Sequence, residues 1–120
     1  MRFLVLGLLA LGLVACGASP APTVDIIAPV NGQRIPTGRE VGVHVRANAP
    51  HPLDRVEFYA NRELFAVLTP PHATTTFEGV AYWVPPTPGA VRFDVRTFDR
   101  FGHASMLTTV VVEAVGEPLR

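Results

Sequence analysis

Histidine is the first candidate for chemistry, because imidazole binds metals and transfers protons near neutral pH. The four histidines are scattered along the chain and form no HxH or HxxxH pair. The spacing therefore gives no metal-ligand signature, and we predict no metal and no cofactor. The four histidines are His44, His51, His72 and His103.

Carboxylates and serines are the next candidates. A glycosidase needs two carboxylates facing each other across a cleft. Asp94 is expected to point outward between two arginines, and Glu57 outward on a neighbouring strand, which predicts a cross-strand charge ladder. Ser19 and Ser105 are the only serines, and neither lies in a nucleophile elbow. We therefore predict that the chain is not an enzyme.

Four aromatic residues are the candidate contacts to a ligand or a partner. Tyr59, Tyr82 and Phe98 fall on the outward parity of their predicted strands, and Phe101 lies at the tip of a turn. One exposed row of such rings would stack on sugar rings or contact a protein. The alternative is a set of scattered rings, or rings covered by arginine side chains, and the pattern favours this second interpretation.

Cys16 is the only cysteine, so the folded part has no disulfide and depends on its apolar core. The segment before it has one charge at Arg2, followed by 13 uncharged, mostly aliphatic residues that end at Ala15. A charged start and an apolar stretch of this length are typical of a signal peptide. The stretch is shorter than the roughly 20 residues of a membrane-spanning helix. We predict a cleaved signal peptide over residues 1–15.

The segment Leu13–Cys16 resembles the bacterial lipobox, the cleavage motif of lipoproteins. The resemblance implies that the Cys16 thiol carries diacylglycerol and that a peptidase cuts between Ala15 and Cys16. Two or three acyl chains hold a protein stably on a bilayer. The alternative is an ordinary signal peptide with a chance cysteine. Under the enteric sorting rule, Gly17 rather than an aspartate after the cysteine implies an outer-membrane destination. Residues 16–22, which include the lipidated cysteine, are predicted to form a flexible tether.

The pattern after residue 22 predicts strands rather than helices. All twelve prolines follow residue 19, and no amphipathic helical stripe is present. Short alternating runs separated by turn signals predict an all-β, seven-stranded immunoglobulin-like sandwich over residues 23–116, with a tail at 117–120. The run Val110–Val112 indicates burial on both faces or a poorly defined register. The predicted strands are 23–27, 40–48, 53–60, 63–68, 75–84, 90–98 and 104–115.

Four segments, at 23–32, 54–61, 82–89 and 93–99, resemble in order the words of bacterial immunoglobulin-like modules. Such modules occur in surface proteins and beside secreted carbohydrate-active enzymes. The resemblance implies the fold and a location at the cell surface, and it implies no active site, because the family shares none. Arg62 stands where the family usually has glycine, which suggests a different hairpin turn.

The family topology also implies that the loops carrying His51 and His103 lie at one end of the sandwich. The two histidines are then able to approach each other, although a zinc or copper site needs a third ligand. Asp54 and Asp99 are the candidates for that ligand. No signal turns either side chain inward, so exposed loop histidines remain the favoured interpretation, and Asp99 is expected to cap its turn.

Charge excludes one class of partner. Without Arg2, nine arginines face ten acidic residues, a balance of −1, so no basic stripe for nucleic acid is present.

We predict a membrane-anchored cell-envelope lipoprotein, held in the bilayer through acylated Cys16, whose domain is a non-catalytic binding or structural module. Its partner is an envelope protein or a glycan. It is expected on the outer membrane, on the periplasmic or cell-surface face. The alternative is a carbohydrate- or peptidoglycan-binding lipoprotein that uses exposed aromatics.

Overall fold

The computed structural model describes residues 21–116. The predicted signal peptide, Cys16, most of the tether and the predicted tail lie outside the described residues. Within the described range, none of the chain forms a helix with the length and apolar character needed to span a bilayer. The strands are β1 Thr23–Ala28, β2 Arg34–Pro36, β3 Val41–Asn48, β4 Leu53–Ala60, β5 Glu63–Leu68, β6 Thr76–Trp83, β7 Gly89–Asp99 and β8 Thr108–Val115.

The strands form two packed sheets, which confirms the predicted all-β sandwich. One sheet has the order β1-β3-β6, and the other has the order β2-β8-β7-β4-β5. All pairings are antiparallel except that of β2 with β8. The short β2 was not predicted, because three residues between turns carry too little alternation to be recognised.

The core consists of the alternate residues of facing strands. Val43 and Val45 of β3 and Phe58 of β4 are completely buried, as their alternation predicted. The ring of Phe93 is also fully buried and lies 5.6 Å from the ring of Trp83, edge to face. Trp83 is half-buried and packs against this core, so the aromatic side chains join the two sheets.

Strand β8 differs from the prediction in two ways. Val110 and Val112 are buried, whereas Val111 is 44% exposed, so the expected burial on both faces is wrong. The outer face of this sheet is open to solvent, and pairing with β7 fixes the register. The predicted start at Ala104 is also too early, because Ala104 makes one isolated bridge to Phe98 before β8 begins.

The β4–β5 hairpin turns through Asn61 and Arg62, which have φ of 49° and 74°. Two central residues with positive φ are typical of a type I′ turn, in which glycine is preferred at the second position. Arg62 therefore holds the left-handed conformation that favours glycine, and the expectation of a turn different from the family's stays a prediction. Asn61 ties this turn to β7: its N–H donates to the Arg92 carbonyl, 2.8 Å, and its Oδ1 accepts from the Arg92 N–H, 2.9 Å.

Candidate functional site

The structure does not bring the four candidate aromatics into one row. Tyr59 and Phe98 share the outer face of the five-stranded sheet and are half-buried. Tyr82 is 60% exposed on the outer face of the other sheet, and Phe101 is 64% exposed in the β7–β8 loop. A single sugar-stacking strip of Tyr59, Tyr82 and Phe98 is therefore not formed.

Arginines cover the ring of Phe98. The guanidinium carbon of Arg55 lies 3.9 Å from the centre of that ring, and that of Arg96 lies 5.0 Å from it. These are cation–π distances, and they follow from the pairing of β4 with β7, which sets Arg55 opposite Phe98. The alternative that arginine side chains cover outward rings is the arrangement observed at Phe98.

Glu57 is the centre of a charge network beside that ring. Its carboxylate accepts hydrogen bonds from Tyr59 Oη at 2.7 Å, Arg55 Nε at 2.8 Å and Arg96 Nε at 3.2 Å. Partial burial raises the pKa of Glu57, but these three hydrogen bonds outweigh burial and hold its pKa below the ordinary value. The hydrogen bond to Glu57, with partial burial, raises the pKa of Tyr59. The network is thus a fixed ion cluster at neutral pH rather than a poised acid.

A cleft of about 350 Å³ adjoins this network on the same face. Residues of β4 and β7, the hairpin and the β7–β8 loop all contribute to it. Sequence reasoning missed the cleft as a unit, although the outward alternation at residues 92, 94 and 96 and the arginine in place of glycine were visible signals. The lining residues are Tyr59, Arg62, Arg92, Asp94, Arg96 and Leu107.

Asp94 lies at the base of the cleft. Its side chain lies on the outer face between Arg92 and Arg96, as predicted, but neighbouring side chains cover it, so that only 3% of the residue is exposed. Arg92 Nε donates to both of its oxygens at 3.0 Å, and the Thr109 hydroxyl on β8 donates to one of them. Cross-strand pairing brings Thr109 opposite Asp94, which covers the carboxylate. The predicted cross-strand charge pairing is observed between Glu57 and Arg96, which lie opposite each other on β4 and β7.

The loops that carry His51 and His103, between β3 and β4 and between β7 and β8, do come together. The rings of His51 and His103 are 6.3 Å apart, and Phe101 packs edge-on against His51 at 5.0 Å. Asp99 Oδ2 contacts His103 Nδ1 at 2.8 Å, whereas Oδ1 accepts the N–H groups of Phe101 and His103, both at 2.9 Å. Asp99 therefore caps its turn, as predicted. Within residues 21–116, no three histidine, cysteine or acidic side chains are placed to hold a metal ion.

The electrostatics of Asp99 agree with this structural role. Desolvation raises the pKa of the buried carboxyl. The hydrogen bond with His103 and those from the backbone N–H groups lower this pKa by more than desolvation raises it. The net result is a pKa below the ordinary value of aspartate. Asp99 is therefore ionised at neutral pH and fixes the loop around it.

Comparison with known proteins assigns the fold to a family. A family model described as bacterial Ig domain matches residues 22–90. A search of curated proteins finds no match.

Three solved structures share the fold. The fibronectin(III)-like modules of Clostridium thermocellum CbhA have a TM-score of 0.66 and 18% identity, with 97% of this chain covered. This chain spans only 55% of that structure's length. The CARDB domain of a Pyrococcus furiosus protein, in complex with di-metal ions, has a TM-score of 0.58 and 16% identity. The match covers 80% of this chain and 89% of that one. A mutant of the SrpA adhesin from Streptococcus sanguinis has a TM-score of 0.53 and 13% identity. The match covers 84% of this chain and 61% of that one. At such identities the likeness shows the fold alone.

Proposed function

Because this chain belongs to the bacterial Ig domain family, we propose that it is a membrane-anchored cell-envelope lipoprotein with a non-catalytic binding or structural domain. The family and its fibronectin(III)-like neighbours are typically non-catalytic modules, which supports the second half of the proposal. The observation that carries the first half is the segment Leu13–Cys16, which follows an apolar leader and precedes a folded domain.

The anchor is the acylated thiol of Cys16. Six residues lie between Cys16 and Thr23, where β1 begins, so a short tether joins the lipid to the sandwich. Two or three acyl chains give a stable membrane attachment, whereas one chain gives a reversible one. The proposed location is the cell envelope, with the outer membrane favoured by Gly17.

The domain supplies surfaces rather than a reaction centre. The charged groups around Glu57, on the outer face of the five-stranded sheet, bind one another. Such a rigid face presents a fixed pattern of charge and rings to an envelope protein or a glycan. We retain Tyr59, Tyr82, Phe98 and Phe101 as candidate contacts on separate surfaces of the domain.

Metabolic labelling tests the anchor. Cells that express the full chain are grown with radioactive palmitate, and the protein is followed through membrane fractionation. We expect label and membrane association in the wild type, and loss of both in Cys16→Ser. A matched control is Ser19→Ala, three residues away, which should keep both. Unlabelled wild-type protein in the soluble fraction would refute the lipoprotein proposal.

A further inference from the structure

The cleft beside Tyr59 concentrates positive charge. Three arginines and one aspartate are among its six lining residues, so the lining carries +3 − 1 = +2. Counting Glu57, which is bound to Arg96, still leaves one positive charge. Arg92 and Arg96 are each more than a third exposed, so their guanidinium groups remain accessible to a ligand.

The fold holds Arg62 at the same cleft as the positively charged Arg92 and Arg96. The hairpin turn is fixed to β7 by both hydrogen bonds between Asn61 and the backbone of Arg92. These bonds set the Arg62 side chain beside Arg92, although like charges repel. Among residues 21–116, no hydrogen bond or ion pair of the Arg62 side chain is found. Arg62 also occupies a left-handed conformation that glycine adopts without strain, and strain of this kind marks functional positions.

Hydrogen-bond donors remain available in the cleft. Arg92 uses its Nε to bind Asp94, and within the described range its two terminal nitrogens make no hydrogen bond. Arg96 uses Nε for Glu57 and one terminal nitrogen for Tyr59, at 3.4 Å. A guanidinium with its terminal N–H groups free is suited to bind a carboxylate through two parallel hydrogen bonds.

The cleft also offers apolar contact. Leu107 is 50% exposed at its border, and the ring of Tyr59 forms part of its wall. A volume of about 350 Å³ is at the lower end of the range of small-ligand sites, which suits one or two sugar rings. A bare inorganic anion would leave the leucine and tyrosine surfaces unused, whereas the apolar face of a sugar ring would cover them.

We propose that this cleft binds a saccharide that carries a carboxylate. The carboxylate pairs with Arg62 and the free terminal N–H groups of Arg92, and the sugar ring lies against Tyr59 and Leu107. This inference is independent of the lipid anchor, because it depends only on the described domain.

Titration of the full chain in detergent micelles with a glucuronate-containing disaccharide tests the proposal. The ¹H–¹⁵N NMR signals of the arginine Nε–H groups report binding at the cleft directly. We expect shifts at Arg62 and Arg92, and no shifts with the neutral glucose disaccharide. Arg62→Gln should weaken binding about tenfold, which equals the roughly 1.4 kcal/mol of a charge-assisted hydrogen bond at an exposed site. Arg100→Gln, the same charge change in the β7–β8 loop, should leave affinity unchanged.

Arg62→Gly separates binding from folding, since glycine suits the backbone of this turn. It should bind as weakly as Arg62→Gln while its amide spectrum keeps the wild-type dispersion. Equal binding of the neutral disaccharide, or an unchanged affinity in Arg62→Gln, would overturn the proposal. Inorganic phosphate that binds as tightly as the glucuronate would reduce the cleft to an unselective anion site and would also overturn it.

Discussion

Replacement of Arg62 by glycine and by alanine should separate the cost of its backbone conformation from the loss of its side chain. At φ of 74°, an L-residue costs roughly 1–2 kcal/mol relative to the right-handed region, and glycine avoids this cost. Glycine also adds roughly 0.4–1 kcal/mol of chain entropy to the unfolded state. The difference predicts that Arg62→Gly is about 0.5–1 kcal/mol more stable than Arg62→Ala. We expect the alanine variant to be close to the wild type, because no intramolecular partner of the side chain is lost.

Urea denaturation, followed by the fluorescence of Trp83, measures these free energies of unfolding. Arg100 is the matched control, because it is also an arginine in a turn but does not itself have a positive φ. There the order should reverse, with Arg100→Gly less stable than Arg100→Ala. An Arg62→Gly variant that is less stable than Arg62→Ala would refute the argument that arginine is kept at this position against its conformational preference.

Two further perturbations test the core and the charge network. Phe93→Ala removes a fully buried ring between the sheets and should lower the free energy of unfolding, measured by urea denaturation, by about 3–5 kcal/mol. That loss is a large part of the stability of a domain without a disulfide. Val111→Ala, on the solvent face, should cost under about 0.5 kcal/mol. The folded-state pKa values of Glu57 and Asp99 are lowered, so their stabilisation is complete above the unfolded pKa values near 4 and is lost as pH falls through the folded values. The free energy of unfolding, measured from pH 6 to pH 2, should therefore fall, and it should fall less steeply in Glu57→Gln than in the wild type. Parallel curves for the wild type and Glu57→Gln would contradict the lowered pKa of Glu57.

Local alternation was enough to predict most of the sandwich. The boundaries of β4 and β5 agree with the sequence pattern, because clear turn signals end both strands. The inward set of β3 followed from strict alternation at residues 43, 45 and 47, all of which are buried. The predicted start of β8 was too early, because residues 104–107 leave the ladder after one bridge between Ala104 and Phe98.

The cleft was missed in the sequence for a different reason. Alternation assigned Asp94 to the outer face, but it carries no information on what covers that face. The burial of Asp94 depends on Thr109 of β8, 15 residues away in sequence and opposite it only through strand pairing. Likewise, the contact of the hairpin with Arg92 joins residues 31 apart. Non-local pairings of this kind decide a surface site, whereas local periodicity decides the strands.

The topology relates the proposed anchor to the proposed cleft. Thr23 at the start of β1 pairs with Asn48 at the end of β3, and a short loop leads from there to the start of β4. The hairpin with Arg62 follows the far end of β4, so eight residues of strand, about 26 Å, separate it from the end where the tether enters. A lipid on Cys16 would therefore hold the entry end near the bilayer and direct the Arg62 hairpin away from it. In that orientation the Arg62 end of the proposed cleft would face away from the bilayer, whereas its Leu107 border would lie nearer the tether, because Met106 and Thr108 line a pocket with Ala21 and Thr23.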